Sequence, residues 1–210
     1  MAVKTLRERQ AEATRQLLID VAREFFTERG YAGTSIESII KQAGVARGAL
    51  YHHFSGKDAV FRAVYDTVLA ETASRVVAAA VAVSEPWDSV RAGLSAFLDA
   101  CLEAPFRRIV ILDSVHVLAQ DVWEGGIEHE AFPMLRTVLT PLVETHLPGV
   151  PVEPLAYVAL GGLFGAALYI ARSPTPRAAR SETDVVLDTL IGGLRSRVEA
   201  SAKPRRRRGK

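Results

Sequence analysis

The chain has 210 residues, 49% hydrophobic and 24% charged, enough for one ordinary domain or two small ones around a real core. That excludes wholesale disorder, a collagen-like repeat and a disulfide-stapled scaffold; the single cysteine, Cys101, allows no intrachain disulfide and fits a reducing, cytoplasmic setting. The net charge of +2 divides unevenly: residues 1–65 carry 10 basic and 7 acidic side chains, residues 66–202 carry 10 and 17, and residues 203–210 carry 6 and none.

Nearly every segment has the helical period. In 10–29, Leu17, Leu18, Val21, Ala22, Phe25 and Phe26 recur at three- and four-residue steps, and Gly30 stands where such a helix ends. Thr34 or Ser35 caps a second helix of about nine residues with Ile36, Ile39 and Ile40 on its core face. Ala43-Gly44-Val45 breaks the chain tightly, and a short third helix runs over 45–54. Lys57 opens a long stretch to about residue 83. Beyond Pro86, apolar helices are expected over 87–103, 105–119, 127–146, 154–171 and 182–199, separated by prolines. The fold class is all-α: a head over 1–65, a larger helical body over 66–202, and a basic tail over 203–210 that is expected to stay disordered.

Residues 155–171 contain no charge, which brings the stretch to the short limit of a membrane span. Gly161 and Gly165 lie four apart, as do Gly162 and Ala166, so one face is stripped of side chains and lets another helix approach closely. Together with Val185, Val186, Leu187, Leu190, Ile191 and Leu194, this face is expected to meet its copy in a second subunit rather than a membrane. The principal interface residues are then Gly161, Gly165, Leu187, Ile191 and Leu194.

The third helix carries the most specific signal. At about 100° per residue, Arg47, Gly48, Tyr51 and His52 share one outward arc, with Leu50 opposed to it. Glycine within so short a helix costs about 1 kcal/mol relative to alanine, which close approach of another molecule would explain. Arginine reads guanine edges; tyrosine and histidine reach phosphates or thymine methyls. Lys57 and the amides of Thr34 and Ser35 sit at helix starts, where anions bind.

The run from Tyr31 to Lys57, with its Gly-Thr-Ser, Ala-Gly-Val and Gly-Ala-Leu-Tyr-His-His-Phe elements, resembles the DNA-binding head of the TetR family of bacterial transcriptional regulators. The resemblance covers about residues 10–65; Ile40 stands where the family usually has a small alanine. It implies a homodimeric, ligand-responsive repressor that sets one recognition helix per subunit into successive major grooves of a palindromic double-stranded operator and is released by a small-molecule effector. By matching position, Arg47, Gly48, Tyr51, His52 and His53 are recognition-helix residues, and Thr34, Ser35 and Lys57 clamp phosphates. His53 falls outside the ideal exposed arc.

Other constellations carry less. His116, Glu128, His129, Glu130 and His146 lack metal-ligand spacing. Asp113, Ser114 and His116 have the letters of a hydrolase triad but, on one helix, point in different directions. Gly161-Gly-Leu-Phe-Gly165 has neither the strand nor the lysine of a phosphate loop. No enzyme activity, metal or cofactor is expected. An effector pocket would be apolar with a few polar groups; the candidates are Phe97, Cys101, Trp123, Phe132, Tyr157 and Phe164.

Overall fold

The computed structural model describes residues 5–118 and 127–202. Trp123 and the tail over 203–210 lie outside the described residues. Those described form helices α1 (Leu6–Arg29), α2 (Ile36–Ala43), α3 (Arg47–His53), α4 (Lys57–Val81) and α5 (Pro86–Ala100). A π-helix (Phe106–Asp113) follows, then α6 (Ser114–Val117), α7 (Ile127–His146), α8 (Val152–Arg172) and α9 (Pro176–Ala202).

Two compact units emerge, one of residues 1–72 with 103–126 and one of 73–102 with 127–210. Their division differs from a head ending at residue 65. The segment beginning at Glu103 buries Phe106, Ile109, Val110 and Ile111 within the first unit, a long-range pairing that composition along the chain does not register.

In the first unit, α1 starts at Thr5, whose hydroxyl accepts from the Glu8 amide at 3.3 Å while the Glu8 carboxylate accepts from the Thr5 amide at 2.7 Å. This reciprocal cap carries the helix four residues beyond the expected start. Its buried face is Leu18, Ile19, Val21, Ala22 and Phe26. Leu17 is exposed and Phe25 only half-buried, so the core stripe is rotated from the expected one. The aliphatic part of Arg29 brings its guanidinium 4.4 Å from the centre of the Phe25 ring, which covers that ring in place of the core.

Ser35, not Thr34, caps α2: its hydroxyl accepts from the Ser38 amide at 3.1 Å. At the other end Gly44 takes a left-handed conformation (φ 65°, ψ 28°) and donates to the carbonyls of Ile40 and Lys41, a turn a side chain would strain. Phe26 and Phe61 meet edge to face at 5.1 Å, and Tyr31 meets Phe61 likewise at 5.2 Å. These rings join α1, the turn that follows it and α4.

In the second unit, Trp87, Val90, Leu135, Leu139, Leu142, Ala156 and Leu163 form a core that Phe97, Phe132 and Ile191 pack against. Pro86 opens α5 in its first turn, where its missing N–H costs nothing; Pro176 opens α9 in the same manner, six residues before the expected start. Arg91 of α5 pairs with Asp184 at 2.8 Å and with Asp188, and Arg180 reaches Asp99 and Asp184, each at 3.0 Å. These ion pairs tie α9 to α5. Asp184, Leu187 and Ile191 are half-buried, whereas Val185, Val186, Leu190 and Leu194 are exposed.

Candidate nucleic-acid interface

The outward arc of α3 is as expected. Leu50 is fully buried (0% exposed) and Tyr51 is 45% exposed; Arg47, Gly48 and His52 are exposed too. A Cβ added at Gly48 would meet nothing within 4 Å. The protein's own packing therefore does not demand this glycine, and its helix cost stands unexplained from within.

Arg47 lies 3.7 Å from the Glu37 carboxylate on α2, and its guanidinium is 5.5 Å from the centre of the Tyr51 ring. His52 and His53 stack edge to face at 5.1 Å. His53 is half-buried, as its position outside the arc implies. Burial first, then the neighbouring charges of His52 and Arg15, lower its pKa from 6.5.

Thr34 departs from the expected role. It is 3% exposed, its hydroxyl donates to the Gly30 carbonyl at 2.8 Å, and its amide donates to the Tyr31 carbonyl at 3.2 Å. A side chain so satisfied braces the turn between α1 and α2. Ser35 is exposed, but its amide faces the Ser38 hydroxyl at 3.3 Å. Lys57 places its ammonium 4.0 Å from the centre of the Tyr31 ring, and Tyr31 donates to Asp58. Burial and then the Asp58 hydrogen bond push the Tyr31 pKa up to about 12, so the phenol keeps its proton.

Two further side chains join this edge without a sequence signal. Glu37 is tied to Arg47, and Arg15 of α1 stands 5.3 Å over the Phe54 ring beside the end of α3. Each pairing spans a turn or a helix length that periodicity within one segment does not measure.

The hydrolase letters come apart. Asp113 accepts from the Tyr31 amide at 2.7 Å, Ser114 is buried with its hydroxyl donating to the Val110 carbonyl at 2.6 Å, and His116 is exposed. Among the described residues, no three histidine, cysteine, aspartate or glutamate side chains gather as a metal site would require.

Sequence and structure comparisons agree with these elements. Residues 18–64 match the family model for bacterial regulatory proteins of the tetR family, and residues 87–194 match the Tetracyclin repressor-like C-terminal domain. The chain belongs to the TetR family. A TetR-family transcriptional regulator from Pectobacterium atrosepticum shares 30% identity, with 96% of this chain and 100% of that one covered and a TM-score of 0.78.

The HTH-type transcriptional regulator SrpR of Pseudomonas putida is 48% identical over 64 residues, which is 30% of this chain and 29% of that protein. The HTH-type transcriptional regulator AcrR of Shigella flexneri is 44% identical over 66 residues, 31% and 30% of the two chains. The chain thus spans under a third of the length of these curated relatives.

The body residues fall into three groups. Phe132 and Tyr157 lie 4.6 Å apart, with Phe97 and Phe164 half-buried. Cys101 is fully buried, and burial, then the nearby Asp99 charge, push its pKa up to about 12. On α8, Gly161 and Gly165 are exposed and a Cβ on either would meet nothing within 4 Å. Val158, at 75% exposed, and Tyr169 flank them, and α9 adds Val186, Leu190 and Leu194. Of the five expected interface residues, Leu187 and Ile191 turn partly inward, Ile191 onto the body's own core. The ion pairs from Arg91 to Asp184 and Asp188 accompany this rotation.

Proposed function

We propose that this TetR-family protein is a transcriptional repressor that binds a palindromic operator as a homodimer and is released by a small molecule. The observation that carries this reading is α3, whose Leu50 is wholly buried while Arg47, Gly48, Tyr51 and His52 face outward. An anchored helix with an arginine, a bare glycine and two polar rings on its free face suits a major groove. In this reading Arg47 reads a base edge, Gly48 lets the groove wall approach, and Tyr51, His52 and His53 add polar contacts. Ser35 and Lys57 hold phosphates. Thr34 acts through the turn it braces.

The exposed strip of Val158, Gly161, Gly165 and Tyr169 on α8, beside Val186, Leu190 and Leu194 on α9, supports pairing of two subunits through a four-helix contact. Helix α8 is also long and apolar enough to cross a membrane, with a mean hydropathy of 1.7. Its exposed residues, Tyr157, Val158, Gly161, Gly162, Gly165 and Tyr169, gather on one side, while Ala156, Leu163, Ala167 and Ile170 are buried. A one-sided free face with three glycines supports a subunit contact rather than a lipid-exposed span. The protein is accordingly read as cytoplasmic.

The effector is proposed to be apolar or cationic, since the body is acidic and its interior aromatic. To release DNA it must bind the DNA-incompetent state more tightly. Selection of duplexes from a random pool, followed by gel shift of the selected duplex against random DNA, tests the reading. A protein that selects nothing ends it. Native mass spectrometry of freshly purified protein then reports the subunit number and any retained molecule.

A further inference from the structure

The segment Phe106–Asp113 is a π-helix: at its end the Ser114 amide donates to the Ile109 carbonyl, five residues back. A π-helix of this length is rare, and shorter ones concentrate at functional positions. Its register has a consequence for Arg108 and Asp113, which are five apart. In an α-helix five residues turn through about 500°, leaving the two side chains about 140° apart. In the π register, with its hydrogen bonds five residues apart, the two side chains come much nearer to one face, and Arg108 Nε donates to the Asp113 carboxylate at 3.2 Å.

The same carboxylate oxygen accepts from the Tyr31 amide at 2.7 Å. Arg108 lies over Gly30, so closely that a Cβ there would fall 1.9 Å from Nη2. Gly30 itself has φ 70°, the backbone conformation that calls for glycine at this corner, and a side chain here would also push the Arg108 guanidinium aside. Beyond the corner, Tyr31 packs on Phe26 and Phe61, donates to Asp58 and lies under the Lys57 ammonium. One carboxylate therefore grips the backbone where α1 turns toward α2, and the ring next to that backbone carries the lysine proposed to hold phosphate.

We propose that Asp113, presented by the π register and oriented by Arg108, is a positioning residue that sets the α1–α2 corner for specific DNA reading. Relaxation of Phe106–Asp113 to an α register parts Arg108 from Asp113 and frees the Tyr31 amide. The recognition helix then keeps its charges but loses its fixed aim. This role of Asp113 rests on the DNA-binding reading above.

The test uses the full chain and a duplex that the wild-type protein selects from a random pool, with random duplex as control. Asp113→Ala is expected to lower affinity for the selected duplex about tenfold while affinity for random duplex stays within about twofold and the salt slope is unchanged. Hydrogen exchange at the Tyr31 amide should accelerate about tenfold or more. Equal losses on both duplexes, or no loss on either, overturn the proposal. Should Asp113→Ala fail to reach wild-type helicity by circular dichroism, Arg108→Ala is read in its place. A several-fold fall in the selected-to-random ratio is then expected, and an unchanged ratio overturns the proposal. A wild-type chain that selects no duplex ends the DNA-binding reading; a wild type that selects one, with variants that keep its preference, ends only the role of Asp113.

Discussion

The guanidinium of Arg47 on α3 and the carboxylate of Glu37 on α2 face each other at 3.7 Å, both well exposed. An ion pair so open to water contributes at most about 1 kcal/mol to folding. Its larger consequence is for binding, because an acid on the reading face repels phosphate and occupies the arginine until a better partner arrives. Arg47→Ala is expected to cost about 1–3 kcal/mol on the selected duplex. Glu37→Gln should raise affinity for random duplex more than for the selected one. Fluorescence anisotropy on both duplexes measures each change; Arg47→Ala binding as tightly as wild type removes Arg47 from the reading set.

Lys57 contributes charge without sequence information. Lys57→Ala should weaken selected and random duplexes alike and flatten the dependence of log affinity on log salt by about one unit per half-site. Titrations at several salt concentrations give the slope, and an unchanged slope means that the ammonium stays on the Tyr31 ring and touches no phosphate.

The Ser35 cap can be tested on the free protein. Ser35→Ala removes the acceptor for the Ser38 amide and should destabilise by about 1 kcal/mol, lowering Tm by about 2–4 °C for a chain of this size. Calorimetry that shows no shift would mean that the Ser35 hydroxyl bond adds nothing to stability beyond what water supplies to the Ser38 amide.

Gly161→Leu separates assembly from folding. A Cβ at this position meets nothing within 4 Å, and leucine favours the helix over glycine by up to about 1 kcal/mol. The subunit should therefore fold at least as well while the two copies are held apart. Sedimentation is expected to find a dimer for wild type and a monomer for the variant, at equal helicity. A wild-type monomer at micromolar concentration would contradict the proposed interface.

The lowered pKa of His53 gives a signed pH dependence. A folded state that disfavours the imidazolium gains its stability above the unfolded pKa of about 6.5 and loses it as pH falls toward the folded value. Phosphates beside α3 act in the opposite sense and favour the imidazolium. Between about pH 8 and 5.5, stability of the free protein should fall while DNA affinity rises. His53→Gln should flatten both trends, and two profiles that match wild type would exclude this histidine.

The helical runs among the described residues, the recognition arc and the Gly30 and Gly44 stops were legible because they depend on near neighbours. A period of three to four residues, a serine at a cap and a glycine at a helix end act within one or two turns of chain. Leu50 inward with Arg47, Gly48, Tyr51 and His52 outward is such a local consequence. The rotation of whole helices was not legible. Leu17 and Phe25 look like core from spacing, yet Leu17 is exposed and Phe25 half-buried, while Ile19, outside the expected stripe, is buried. Leu187 and Ile191 turn inward on the same helix whose Asp184 and Asp188 pair with Arg91, about a hundred residues earlier. Thr34 is buried because Gly30 and Tyr31 supply its partners. The π register of Phe106–Asp113 likewise goes with a carboxylate shared between Arg108 and the Tyr31 amide, 82 residues away in the chain. Periodicity tells which face of a helix is apolar to within a residue or so; hydrogen bonds and ion pairs between distant segments choose among the neighbouring rotations, and those partners meet only after the chain has folded.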